Sequence, residues 1–195
     1  IIMVGVMFEM GIINNLGKFD RNLDTPRIRA DNGIYEYVLA WKDETQIGRD
    51  VTLTEIDIEN LIRAKGAIYS GCMTLLTEVG MSISDIEHII LAGGFGSYVD
   101  LEKAMTIGLL PEMDTDKVTF IGNGSLMGAR MSSLTNRIRQ DVSEVTKKMT
   151  NFELSDTPSY MDNYVAALFL PHTDMNQFPK LKSRLEARKR LKIED

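Results

Sequence analysis

The chain has 195 residues, 44% of them apolar and 26% charged, with a formal net charge of −6. That acidity argues against a whole-surface nucleic-acid binder, which carries a basic footprint. With no apolar run of about 18 residues there is no candidate membrane span, and a single cysteine (Cys72) excludes an internal disulfide or a cysteine-held iron–sulfur cluster.

The opening segment, IIMVGVMFEMGIIN, has no initiating Met, no basic n-region and no small-residue cleavage site. It reads as a buried helix over residues 1–14, already under way, and the chain is expected to be a piece of a longer polypeptide. Met3, Met7 and Met10 lie at helical spacing on a face that absent parts would cover. Residues 18–33 are polar with Pro and Gly and read as a loop. The alternation in GIYEYVLAW predicts a strand over about 34–41, and VTLT can pair back on it as a hairpin.

Thr54 and Asp57 form a capping-box pattern at the start of a long helix. Ile58, Leu61, Lys65, Ile68, Cys72, Leu75 and Val79 step along one face, and Gly80 stands at the C-terminal cap. On that face Cys72 is expected to be a buried, inert thiol. IEHIILAGG reads as a fully buried, parallel strand that ends in glycines. LEKAMTIGLL follows as a short helix stopped by Pro111, then KVTFIGNG as a second buried strand. SLMGARMSSL begins a helix that TNRIRQDVSEVTKKM continues or replaces. NFEL reads as a short strand, and Pro158 leads into a helix, SYMDNYVAALFL, stopped by Pro171. Residues 180–192 are strongly basic and read as a solvated terminal helix, with an acidic partner as the competing use. The alternation of strand, glycine turn and helix indicates an α/β layer.

The segment from Ile89 to Ser97 is the strongest local signal for chemistry. A buried strand ending in Gly93, Gly94 and Gly96 delivers bare backbone to the edge where open α/β sheets bind ligands. Without further context a tight turn that binds nothing explains these glycines equally well. It is neither a P-loop nor a dinucleotide fingerprint. Gly122-Asn123-Gly124 is a second glycine turn opening a helix, where packing of Gly128 and Ala129 on the sheet is the simpler reading. The two histidines, His88 and His172, lie far apart without a carboxylate pattern, so no metal site is expected.

In this order and at these separations, DIENLIRAKGAIYSGCMTLLTEVG, ISDIEHIILAGGFGSYVDLEKAMTIGLLPE and VTFIGNGSLMGARMSSL resemble the C-terminal part of ATP-dependent reductive activators of corrinoid proteins. Those activators belong to the superfamily of actin, sugar kinases and heat-shock chaperones. The resemblance covers residues 1–178 and implies an α/β, ribonuclease-H-like (actin-like ATPase) lobe with a helical subdomain, one part of an incomplete two-lobed fold. A hairpin extension lies at about 34–53, and residues 179–195 form a basic tail.

The resemblance also implies ATP or ADP with Mg²⁺ as the cofactor of the complete protein. Gly93, Gly94, Phe95, Gly96 and Ser97 are implied beside the nucleoside, with Lys65 lying along the base and Gly66 letting its helix approach. The competing reading of Lys65 is a cation snorkelling from an apolar face. Phosphate hairpins and the catalytic acid are expected upstream of this segment, and an iron–sulfur cluster only on a domain outside it. The implied partners are a corrinoid protein of a methyltransferase system and the rest of the same polypeptide, without nucleic acid or membrane, in a cytoplasmic setting. A related ATPase or kinase, such as a dehydratase activator, and a non-catalytic interaction module are the alternatives.

Overall fold

The computed structural model describes residues 1–94 and 99–194. It begins with helix α1 (Ile2–Glu9), shorter than the expected 1–14 because Gly11 turns the chain at φ +63. The chain bends at Ile12, and Ile13 is then bridged antiparallel to Phe19. Met7 of the expected methionine face is buried, whereas Met10 is exposed.

Strands β1 (Ile28–Asp31), β2 (Ile34–Ala40) and β3 (Val51–Thr54) form a three-stranded antiparallel sheet in chain order. The expected pairing of VTLT with the preceding strand is present, with Tyr37 opposite Leu53. β1 lies inside the segment read as a loop. Asn32 (φ 48) and Gly33 (φ 82) make a two-residue turn that sets Asp31 opposite Ile34, the turn that Asn-Gly favours in hairpins. Arg29 strengthens the pairing with ion pairs to Glu36 across the strands and to Asp50, both at 2.8 Å.

Helix α2 (Glu55–Glu78) starts at the expected cap: the Thr54 hydroxyl accepts from the Asp57 amide, and the Asp57 carboxylate accepts from the Thr54 amide. The Thr54 hydroxyl, donating to the Asp57 carboxylate at 2.7 Å, and then the Thr54 amide hold the Asp57 carboxyl below its ordinary pKa. The helix ends at Gly80 with φ +70. Its buried face is rotated from the expected stripe. Ile58, Ile62, Lys65, Gly66, Tyr69, Ser70 and Thr74 point inward, whereas Ile68, Cys72, Leu75 and Val79 are exposed. Small side chains are the reason: Gly66 lets helix α6 (Pro158–Ala167) close on α2, Gly71 faces Leu154 just before α6, and the Asn163 amide donates to Thr74 Oγ1 at 3.0 Å. Cys72 is therefore an exposed thiol rather than a buried one, and the adjoining protein mass raises its pKa, which disfavours the reactive thiolate.

Strands β4 (Ile89–Leu91) and β5 (Val118–Phe120) pair in parallel, with Ile90 opposite Thr119. Helix α3 (Leu101–Thr106) covers one face through Ala104 and Met105. The strands are not fully buried as expected, because nothing described covers the other face and Ile90 is 63% exposed. Helices α4 (Gly124–Leu134) and α5 (Asn136–Lys148) are separate, divided by extended Thr135, which caps α5 through Arg137 N–H. NFEL forms no strand: residues 151–153 are irregular and a 3-10 turn follows at Leu154–Asp156.

Helix α7 (Pro179–Glu194) is docked rather than solvated. Glu112 accepts from the Lys180 and Leu181 amides at 2.7 and 2.9 Å, supplying the missing partners of the helix start. Leu181 is buried in the same core as α1 and α2. Arg184 pairs with Glu9, and Arg188 donates to the carbonyls of Glu9 and Met10 at the end of α1, where positive charge is favoured. A boundary at residue 178 thus cuts through a packed unit.

Gly108, in the IGLLP segment, has φ +74, and a Cβ there would lie 2.1 Å from the Pro171 carbonyl oxygen. Gly108→Ala is expected to destabilise the domain by about 3 kcal/mol or more, combining left-handed strain with backbone displacement. Urea unfolding monitored by circular dichroism measures it, and an unchanged midpoint would contradict this packing.

Candidate functional site

The carboxyl ends of β4 and β5 carry two glycine turns side by side. The Gly93 amide donates to the Gly122 carbonyl at 2.6 Å, and the Ile121 amide donates to Leu91 O at 3.0 Å, so the parallel pairing continues into the turns. Gly93 (φ 119) and Gly122 (φ 64) occupy backbone conformations that side chains resist. Among the described residues, a Cβ at Gly93, Gly94 or Gly122 would meet no atom within 4 Å. Gly124 differs, since a Cβ there would touch Ile121 and Ala92 at 3.3 and 3.4 Å. The missing Cβ lets the start of α4 sit close to the strand ends.

Asn123 caps α4 by accepting from the Leu126 amide at 3.0 Å. The sheet edge therefore offers bare backbone beside a helix N-terminus, an arrangement suited to a flat group carrying oxygens. Gly128 and Ala129 do not pack on the sheet as expected: both are exposed, and a Cβ on Gly128 would meet nothing. Leu126, Met127 and Met131 of α4 are exposed too, and α4 and α5 bury no residue. Phe95, Gly96 and Ser97 lie outside the described residues.

Lys65 is wholly buried. Its Nζ donates to Phe169 O at 2.5 Å and Pro171 O at 2.6 Å, so two of its N–H bonds go to backbone carbonyls of the segment after α6. The ammonium that the sequence aligned with a base and ribose is used inside the domain. Gly66 follows suit. A Cβ there would approach Ala167 O, Leu168 and Tyr164 at 3.4–3.5 Å, so the close approach it permits is to α6. The sequence missed this use because the acceptors are carbonyls about a hundred residues away, which residue types do not encode.

Around Lys65 lies a polar cluster that sequence reasoning also passed over. His172 is 8% exposed, and its ring tilts against Tyr69 at 5.6 Å between centroids. His172 Nδ1 accepts from the Asp174 amide at 3.0 Å, and the Tyr69 hydroxyl donates to Gln177 at 2.8 Å. Burial pushes Lys65 down to about 7 and the Tyr69 hydroxyl well up. Burial first, then the charge of Lys65, lowers His172. Among the described residues no group of three or more His, Cys, Asp or Glu side chains could hold a metal ion. No helix of the described residues is long and apolar enough to cross a membrane.

The buried amine gives the fold a pH dependence. A neutral amine still has two N–H donors for the two carbonyls, so deprotonation leaves both bonds in place. With Lys65 at about 7 in the fold and 10.5 when unfolded, the unfolded chain binds more protons between those values. The contribution of Lys65 to stability is therefore lowest at and below pH 7 and rises with pH through that window, by about 2 kcal/mol from pH 7 to 9. Urea titrations across pH 7–9 should show this slope, and Lys65→Met should remove it. Lys65→Met should also lower stability by about 2–6 kcal/mol, because it strands two buried carbonyls. A variant as stable as the parent, with the same slope, would contradict the arrangement.

Comparison with known proteins followed the same segments. A family model described as the C-terminal domain of RACo, the ASKHA domain, matches residues 1–182. The chain is 31% identical over 169 residues to the corrinoid activation enzyme RamQ of Eubacterium limosum, covering 83% of this chain and 28% of that protein. It is 38% identical over 104 residues to the Co(II) methylated amine-specific corrinoid protein reductase of Methanosarcina barkeri, covering 53% of this chain and 19% of that protein. Among solved structures it is similar to a reductive activator for corrinoid, iron–sulfur protein, with a TM-score of 0.83 and 43% identity over 91% of this chain and 28% of that one. The chain thus spans less than a third of the length of these relatives.

Proposed function

We propose, from the premise that this chain belongs to the family of C-terminal domains of RACo, the ASKHA domain, that it forms the adenosine side of an ATP-driven activator. The activator returns an oxidised corrinoid protein of a methyltransferase system to its reduced state. The names of the relatives support the corrinoid protein as partner. The observation that carries the nucleotide reading is the open double-glycine edge, where Gly93 and Gly94 leave space that a side chain would otherwise fill.

ATP or ADP with Mg²⁺ suits this edge on chemical grounds. Gly93 and Gly94 give the nucleoside bare backbone to lie against, and Phe95, Gly96 and Ser97, next in sequence, are proposed as further contacts. Lys65 and Gly66, implied by the resemblance as nucleoside contacts, act inside the fold: Lys65 ties the segment after α6 to α2, and Gly66 seats α6. Phosphate groups and Mg²⁺ are left to residues of the complete protein outside this segment. An iron–sulfur cluster does not fit this chain, since Cys72 is its one thiol.

The rest of the polypeptide is the natural cover for the bare faces. Ile90, Ile121, Leu126 and Met131 are all exposed around the strand ends and α4. Parallel strands are stable when both faces are covered. Nucleotide binding between this part and its cover supplies differential affinity for two arrangements, which is the means by which ATP can shift the state of a bound corrinoid protein.

Gly94 has room for a side chain, so Gly94→Leu in the complete protein is expected to fold normally and bind ATP at least tenfold more weakly by calorimetry. Unchanged affinity would remove the glycine edge from the site. The 195-residue chain alone is expected to bind ATP or ADP weakly or not at all. Tight binding with turnover by this chain alone would refute the division of the site between two parts.

A further inference from the structure

On the side formed by α1 and α7 lies a cleft of about 630 Å³, bounded by the turn after α1, the 170–175 segment and α7. That volume falls in the range of small-molecule sites. Its floor is apolar, from Phe8, Ile13, Leu170, Met175 and Leu185.

The polar groups on its walls are mainly donors. Because His172 Nδ1 accepts from the Asp174 amide, the ring proton sits on Nε2, which has no protein partner. The residue is 8% exposed while Nε2 keeps access to the cleft, so this N–H can donate to a group held there. Asn14 Oδ1 already accepts from the Leu16 and Lys18 amides at 2.9 and 3.0 Å, so the NH₂ is the part of its side chain left to a ligand. Lys182 Nζ has one partner, Asn176 Oδ1 at 3.0 Å, and two further N–H bonds. Arg188 adds positive charge while donating to the Glu9 and Met10 carbonyls, and Glu186 is the one acid among the described lining residues.

We infer that this cleft binds a small organic acid with an apolar body, its carboxylate received by His172 Nε2–H, the Asn14 amide and Lys182. The apolar body covers Ile13, Leu170 and Leu185, and the carboxylate accepts from the N–H donors of His172, Asn14 and Lys182. Burial and the neighbouring Lys65 keep the His172 ring neutral, which preserves Nδ1 as acceptor and Nε2–H as donor. This site is independent of the glycine edge and of the nucleotide reading.

The probe is 4-phenylbutyrate, with 4-phenylbutanamide as its neutral counterpart, titrated into the full isotopically labelled chain and followed by NMR. Saturable shifts are expected at the Asn14 side-chain amide, the His172 ring and the Leu185 methyls, with affinity for the acid at least tenfold above that for the amide. Asn14→Asp keeps both accepted backbone bonds and sets a like charge against the ligand, so affinity for the acid should fall at least tenfold. His172→Phe keeps a ring in place without Nε2–H and should also weaken it severalfold. Equal binding of acid and amide, shifts confined to the exposed helices α4 and α5, no saturable shifts, or full affinity in both variants would overturn the assignment.

Discussion

The Lys65 amine sits where three segments meet. Its stem belongs to α2, its two acceptors belong to the chain that leaves α6, and the second acceptor's carbonyl is the one that presses on Gly108. Burying an amine costs several kcal/mol unless it is partnered, and the partners here are backbone groups that would themselves be stranded without it. The cost on each side is offset only when α2, the 169–171 segment and the turn after α3 come together. Apolar contacts between the same elements are non-directional and tolerate sliding, whereas this bonding fixes one register of α6 and its exit along α2.

That register explains why α2 buries small residues where the sequence offers larger ones. Gly66, Ser70 and Thr74 face α6, while Ile68, Leu75 and Val79 face outward. Close backbone approach brings Nζ within reach of the carbonyls. A stripe of Ile and Leu on this face would have held α6 farther off and left Lys65 without acceptors. The exposed apolar residues on the opposite face, together with those of β4 and α4, are the cost of this choice, and they mark surface that the complete protein has reason to cover.

The legible parts of the fold were those decided within a few residues. The Thr54–Asp57 cap, the Gly80 stop, the pairing of residues 34–40 with 51–54, the parallel strands and the Pro158 start all depend on local chemistry and are present. The Asn32-Gly33 turn was equally local, but the charges of Arg27, Arg29 and Asp31 hid β1 inside a polar stretch. What the sequence could not reveal depends on distance. Lys65 was singled out correctly as unusual on an apolar face, yet its partners are 104 and 106 residues away. Cys72 and α7 were misjudged for the same reason. Burial is decided by which neighbour arrives, and Glu112 and Glu9 arrive at α7 from other elements.

The glycines separate two demands on the backbone, and this separation bears on the site. At Gly17 and Gly108 the space for a Cβ is already filled, by Ile58 and Ile62 in one case and Pro171 in the other, and φ is positive as well, so packing and backbone conformation both call for glycine. At Gly93 and Gly122 a positive φ accounts for the residue, although the surroundings are open. Gly94 satisfies neither condition among the described residues: its φ is not in the left-handed region and no described atom crowds it. A glycine in an ordinary conformation, in open space, contributes only backbone entropy to the unfolded chain and therefore lowers stability relative to alanine. The internal demands of the described fold leave Gly94 unexplained, and a group from outside that needs the backbone itself supplies the missing reason. The same argument applies to Gly128, bare and exposed in the middle of α4, where glycine costs a helix about 1 kcal/mol relative to alanine. Both lie on the segments around the strand ends, so the glycine edge proposed for the nucleotide and the exposed face of α4 adjoin as one surface open to close approach.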